Sequence, residues 1–215
     1  NLILTGTNKE QINQLNKSYF NTKRNYFQLD LKSKKSINTF LKQLEVFEKI
    51  DILINNAGVN ILDDFTNVKT NDIDTMLSVN LVGPFLLSQY CSKKMKAQKY
   101  GRIINICSIW SKITRSKRSI YTATKNALHG MTQTMAVELG ADNILVNSIS
   151  PGFTMTELTS KTNSKKELID LSKKIPLKRL AQPKEISKLI LFLSSEENTY
   201  LTGQNIVIDG GYTIV

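Results

Sequence analysis

Short β-branched runs alternate with longer amphipathic stretches along all 215 residues of the chain. This alternation constrains the fold more than any single motif. Strand-like runs fall at Leu2–Leu4, Tyr26–Leu29, Ile52–Ile54, Arg102–Cys107, Leu145–Ile149 and Asn205–Ile208. Helical periodicity falls at Lys9–Tyr19, Ser33–Phe47, Asn71–Met95, Ile120–Leu139, Ser164–Leu171 and Pro183–Leu193, with Pro183 suited to a first helical position. Such alternation predicts right-handed βαβ units: an α/β fold with a doubly wound parallel sheet between two helical layers. The length suits one domain over residues 1–215 with a substantial core. The runs Ile52-Leu53-Ile54 and Ile103-Ile104-Asn105-Ile106 read as central strands buried on both faces. Sheets of this kind bind ligands beyond the carboxyl ends of their strands. Asn55-Asn56-Ala57-Gly58, Ser108 and Pro151-Gly152 all follow strands at that edge.

Composition narrows the function. Hydrophobic residues make up 40% and charged residues 22%, and no apolar run approaches the roughly 20 residues of a membrane span. Asn1–Gly6 is too short for the apolar part of a secretory signal. Cys91 and Cys107 read as small core residues, and neither they nor the single His129 fall at metal-ligand spacing. A reducing cytoplasm is the expected compartment. The net charge of +11 is spread over helical and loop stretches without basic–aromatic interleaving, so a solvated basic surface is expected rather than a nucleic-acid partner. One basic cluster is placed differently. Lys112, Arg115, Lys117 and Arg118 lie between Ser108 and Tyr121, where they would flank the mouth of a site.

The chemistry resides in Tyr121-Thr122-Ala123-Thr124-Lys125, with Ser108 thirteen positions before the tyrosine. Residues i and i+4 share a helix face, which would bring the Lys125 charge beside the Tyr121 phenol. A nearby cation favours the phenolate and is expected to lower a pKa otherwise near 10. Ser108 would hold a carbonyl or hydroxyl against the phenol. A tyrosine and a lysine at this spacing also occur on ordinary surface helices, so the pair alone does not define a site.

The ordered set of motifs does. The chain resembles the short-chain dehydrogenases/reductases, in particular the branch containing the 3-oxoacyl-carrier-protein reductases. The resemblance is carried by Asn55-Asn56-Ala57-Gly58, Val79-Asn80-Leu81, Gly101–Asn105 leading to Ser108, Tyr121–Lys125, Val146–Gly152, Ile175–Leu180, Tyr200–Gln204 and Asp209-Gly210-Gly211. It implies a Rossmann-like fold and a catalytic set of Asn80, Ser108, Tyr121 and Lys125. Tyr121 would be the proton donor in reduction, Ser108 would polarise the substrate oxygen, and Lys125 would hold the nicotinamide ribose. Asn80 would bend its helix and anchor a water. The resemblance also places Asn56, Ala57 and Gly58 near the adenine ribose and Pro151 and Gly152 against the nicotinamide. Thr154 and Thr156 would contact the carboxamide or phosphates. The resemblance implies a homotetramer, or a homodimer, with the long apolar-rich stretches Asn71–Met95 and Ile120–Leu139 at the interface.

One departure accompanies the match. The family opens with a strand and a glycine-rich turn that binds the cofactor pyrophosphate. Here Gly6 is followed by no glycine until Gly58. The spacing matches Asn1–Asn8 and its lysine-rich helix to the family's second βα unit, with Asp30 and Leu31 near the adenine. One unit of roughly 30 residues is then absent. The expectation is that the sequence is part of a longer native chain, the alternative being a true deletion that binds cofactor poorly. On this alignment Gly6 occupies the position where NAD-preferring relatives carry an acid, and Thr7, Asn8 and Lys9 follow it with hydrogen-bond donors, which favours NADP(H) over NAD(H). In the alternative alignment Asp30 is the ribose ligand and NAD is preferred.

The expected substrate is a 3-oxoacyl thioester, the alternative a sugar or other small polar carbonyl compound. Thr154–Lys174, with Met155, Leu158 and Leu168, reads as a lid. Trp110 either restricts the pocket or packs in the core. A catalytically idle binding subunit is the alternative of another class.

Overall fold

The computed structural model describes residues 1–156, 159 and 164–215. It divides into two compact units, Asn1–Glu48 and Lys49–Val215. In the first, strands β1 (Leu2–Gly6) and β2 (Arg24–Gln28) pair in parallel, Leu2 opposite Arg24 and Gly6 opposite Gln28. Helix α1 (Lys9–Ser18) connects them and α2 (Lys34–Gln43) follows. Each helix begins at a side-chain cap: Asn8 accepts from the Gln11 N–H and Ser33 from the Ser36 N–H. Phe27 packs edge-on against Phe40 and Phe47 within this unit.

The second unit holds a four-stranded parallel sheet in the order β3 (Ile52–Asn55), β4 (Gly101–Ile106), β5 (Ile144–Pro151), β6 (Asn205–Ile208). Successive side chains of a strand point to opposite faces, and the core follows that alternation. On one face Ile103, Ile144 and Val146 pack with Cys91 and Met95 of α4 (Gly83–Gln98) and Ala136 and Leu139 of α5 (Ser119–Leu139). On the other, Ile104 and Ile149 pack with Leu193 of a later helix, Pro183–Ser194. Helix α3 (Thr70–Leu77) precedes α4, and α6 (Lys165–Lys173) precedes that later helix, which is α7.

Two expectations change. The parallel strands form two sheets, one in each unit, where the alternation predicted a single one. Strand β3 is not buried on both faces, because Ile52 and Ile54 are 44% and 43% exposed at the edge of its sheet. β4 is buried as predicted, with Ile103 and Ile104 inaccessible, and β5 is buried as well, with Ile149 inaccessible. The predicted helix Asn71–Met95 is interrupted by a π-helical turn at Ser78–Val82. Cys107 lies just beyond β4 rather than within it, and both cysteines are buried.

Candidate active site

The carboxyl ends of β3, β4 and β5 bring the site of the second unit together. Ser108 follows β4 in extended conformation and its Oγ accepts the Trp110 N–H at 3.4 Å. Tyr121 lies in the first turn of α5, where the Ser108 hydroxyl favours the ionised form of its phenol. One turn on, the Lys125 side chain is buried, and its Nζ donates to the Ile106 carbonyl at 2.7 Å. That Nζ stands 5.7 Å from the centre of the Tyr121 ring.

Asn80 is fully buried in the π-helical turn between α3 and α4. Such a turn carries one extra residue and re-aims a side chain. The Asn80 carboxamide accepts the Val59 N–H at 2.9 Å and donates to the Val59 carbonyl at 2.9 Å. It also donates to Thr124 Oγ1 at 3.2 Å, and Thr124 in turn donates to the Tyr121 carbonyl. Asn80 thus joins the loop after β3 to the first turn of α5. Gly58 lies between these parts: a Cβ there would stand 3.4 Å from Lys125 Nζ and 3.5 Å from Asn80 Oδ1.

The electrostatics differ from the expectation. The Tyr121 phenol is raised above its ordinary value, not lowered, because burial outweighs the Ser108 hydrogen bond and the Arg118 charge. The cation acting on the phenol is Arg118. Lys125 is itself depressed by burial, and its ammonium is bonded to the Ile106 carbonyl, with Nζ 5.7 Å from the centre of the Tyr121 ring.

Of the other predicted contacts, Asn56, Ala57 and Gly58 form an exposed stretch directly after β3. Pro151 ends β5 opposite Ile208. Gly152 donates to the Ile208 carbonyl, and a Cβ there would come within 2.7 Å of Asp209, so close approach to the chain after β6 requires glycine. Thr154 bridges to Ala181 and its hydroxyl donates to the Gly152 carbonyl. Thr156 is exposed and its hydroxyl lies 2.9 Å from that of Thr159. Of the predicted lid, Leu158 lies outside the described residues. Thr7, Asp30 and Leu31 belong to the first unit. Thr7 is exposed after β1, an Asp30 carboxylate oxygen accepts the Lys32 N–H, and Leu31 is buried.

Three features escaped the sequence reading. Asn55, read as the start of the motif after β3, and Asn105, within a run read as apolar, are buried and joined by a 2.8 Å hydrogen bond, with Asn55 also bonded to Ser88 and Asn105 to Thr132. Thr124 sits inside the Tyr121–Lys125 motif, yet only the fold reveals its bond to Asn80. Trp110, Phe153 and Tyr212 form a run of edge-to-face aromatic contacts, and the Arg118 guanidinium stacks 4.7 Å from the centre of Trp110. Trp110 is therefore a buried packing residue that also forms a wall beside Ser108.

Among the described residues no group of three His, Cys, Asp or Glu stands ready for a metal ion. The donors suit a nicotinamide nucleotide. Lys125 is a buried ammonium with one acceptor among the described residues, which leaves donors for ribose hydroxyls. Beside it Gly58 presents no side chain.

Comparison with known proteins agrees. A family profile described as enoyl-(acyl carrier protein) reductase matches residues 1–213. The chain is 38% identical over 188 residues to the NAD-dependent glycerol dehydrogenase of Listeria innocua, covering 87% of this chain and 74% of the relative. It is 35% identical over 214 residues to the 3-oxoacyl-[acyl-carrier-protein] reductase FabG of Aquifex aeolicus, covering 98% and 86%. A gluconate 5-dehydrogenase from Burkholderia cenocepacia, solved with NADP and tartrate, superposes with a TM-score of 0.90 at 28% identity, over 99% of this chain and 85% of that one. The chain belongs to the short-chain dehydrogenase/reductase family. Within it, this is an NAD(P)-dependent oxidoreductase acting on CH–OH groups, related to the 3-oxoacyl-carrier-protein reductases.

Proposed function

We propose that this enzyme reduces a carbonyl, or oxidises the matching alcohol, with Asn80, Ser108, Tyr121 and Lys125 as its working set. The observation that carries this reading is the junction of four side chains: the Tyr121 phenol under the influence of the Ser108 hydroxyl, Lys125 Nζ 5.7 Å from the centre of the same ring, and Asn80 tied through Thr124 to that turn. The bound cofactor supplies or accepts a hydride at its nicotinamide. Ser108 holds the substrate oxygen and offers a hydrogen bond where alkoxide charge develops. Tyr121 gives that oxygen its proton in reduction and takes it back in oxidation. Lys125 binds the nicotinamide ribose through donors that Ile106 leaves free. Asn56, Ala57 and Gly58 would bind toward the adenine ribose, and Pro151, Gly152, Thr154 and Thr156 around the nicotinamide.

NADP(H) is the proposed cofactor. Gly6 ends β1 and is followed by Thr7, Asn8 and Lys9, with no carboxylate to repel a ribose phosphate. Asp30, the alternative ribose ligand, is engaged by the Lys32 N–H.

Two substrate classes remain. Likeness to the 3-oxoacyl-carrier-protein reductases supports an acyl thioester. The wall of Trp110, Phe153 and Arg118 favours a small polar carbonyl compound, and tartrate is such a polar ligand in the gluconate 5-dehydrogenase complex. We take the small polar class as the better supported. Steady-state rates with 3-oxoacyl thioesters and with small hydroxy and oxo compounds, each with NADP(H) and NAD(H), test this. The expected result is preference for the small compounds and for NADP(H). Preference for thioesters with NADH would overturn both choices.

A further inference from the structure

Arg118 is the N-cap residue of α5, three positions before Tyr121, and its guanidinium lies over Trp110 with Cζ 4.7 Å from the ring centre. That cation–π contact restrains the guanidinium. Trp110 is itself immobilised: it is buried, its N–H is bonded to Ser108 Oγ, and its ring packs edge-on against Phe153. A cation held this firmly in a structural role ordinarily meets a carboxylate or a backbone carbonyl. Arg118 meets neither among the described residues, and its Nε is buried without a hydrogen-bond partner. Its neighbour Lys117, by contrast, pairs with Asp64 at 3.5 Å. The surroundings add cationic charge, since Arg115 acts on Arg118 as a like charge. The same guanidinium acts electrostatically on the phenols of Tyr121 and Tyr212. A buried Nε without a partner, on a guanidinium held over Trp110 beside the serine and tyrosine of the site, is the arrangement that donates two parallel hydrogen bonds to a planar anion.

We propose that Arg118, stacked on Trp110, binds the carboxylate of the substrate, so that the enzyme selects small hydroxy or oxo acids over neutral alcohols and carbonyl compounds. This deepens the oxidoreductase reading and rests on it only for the word substrate: the anion site stands on its own geometry. With the carboxylate on Arg118, the carbon to be oxidised or reduced lies toward Ser108 and Tyr121, and the guanidinium acts as a fixed point from which the reacting oxygen is aimed.

Trp110 is the only tryptophan of the chain, so its fluorescence reports directly on the stacked guanidinium. The experiment titrates the full chain with succinate, with neutral succinamide and with inorganic phosphate, and follows Trp110 emission. Succinate is expected to give a saturable change and succinamide none, with phosphate weaker than succinate. Arg118→Gln is expected to weaken the succinate response by roughly 10- to 100-fold, the range for losing a charge-assisted hydrogen-bonded pair. Arg118→Lys keeps the charge without the planar fork and should fall between the two. Its retained response would show that loss in Arg118→Gln is not unfolding, which circular dichroism checks independently. Tyr121→Phe is expected to leave the succinate response unchanged while removing turnover, which separates failure of the anion site from failure of the redox reading. An equal response to succinamide, a tighter response to phosphate, or an undiminished response in Arg118→Gln would each overturn the proposal.

Discussion

Tyr121 combines two demands that pull its phenol in opposite directions. Burial favours the neutral, proton-donating form, while the Ser108 hydrogen bond and the Arg118 charge favour the phenolate, and burial is the larger effect. A donor in reduction gains from this, since it stays protonated across neutral pH. A base in oxidation is held back until the pH rises. In the cofactor-free protein the Tyr121 phenol is therefore expected to titrate above the ordinary value near 10. An ultraviolet pH titration, differenced against Tyr121→Phe, measures it. Arg118→Gln should move the titration further up, because the cation it removes stabilises the phenolate. A titration at or below the ordinary value would mean that Lys125 controls the phenol after all. The tyrosine, lysine and serine could be read from the sequence because their spacing maps onto one helix and one strand end. The direction of the pKa could not, because it depends on how deeply the ring is buried and on where the ammonium points.

At the scale of elements, the π-helical turn Ser78–Val82 decides where Asn80 points. The family resemblance implied a bend at Asn80 within Asn71–Met95, but its π-helical form was not legible, since apolar periodicity registers one extra residue only as a slight phase change. The interruption lets one carboxamide satisfy both backbone groups of Val59 and reach Thr124. Asn80→Ala strands these groups, and a buried group left without its partner costs about 1–3 kcal/mol. The expected outcome is a lower denaturation midpoint together with a loss of turnover larger than the stability loss explains. Unchanged stability would show that the Val59 loop does not depend on Asn80. Strand β4 was legible as a buried strand because Ile103 and Ile104 put an apolar residue on each of its faces. β3 carries the same kind of run, yet it lies at an edge, and no local pattern distinguishes an edge strand from a central one.

For the whole molecule, the alternation of strand and helix signals was enough to specify a parallel α/β architecture. The division into a two-stranded and a four-stranded sheet was not, since strand order depends on pairings distant in sequence. The second unit also displays apolar side chains that its own core leaves uncovered: Val137 on α5, Phe85 on α4 and Leu191 on α7 are 84%, 51% and 66% exposed. We expect these faces to be buried between copies in a homotetramer. Light scattering should give a tetrameric mass, and Val137→Glu should lower it. A monomer at micromolar concentration would contradict the assembly.

In the proposed mechanism the Tyr121 hydroxyl moves the proton as hydride is transferred. Cofactor-coupled turnover of the wild-type chain and Tyr121→Phe, followed by nicotinamide absorbance with a substrate that the wild type turns over, tests it most directly. The phenylalanine ring fills the same space, so fold and cofactor affinity should persist. Turnover should fall about 10²- to 10⁴-fold, the contribution expected of a positioned acid–base group. Turnover by Tyr121→Phe at the wild-type rate would contradict the account.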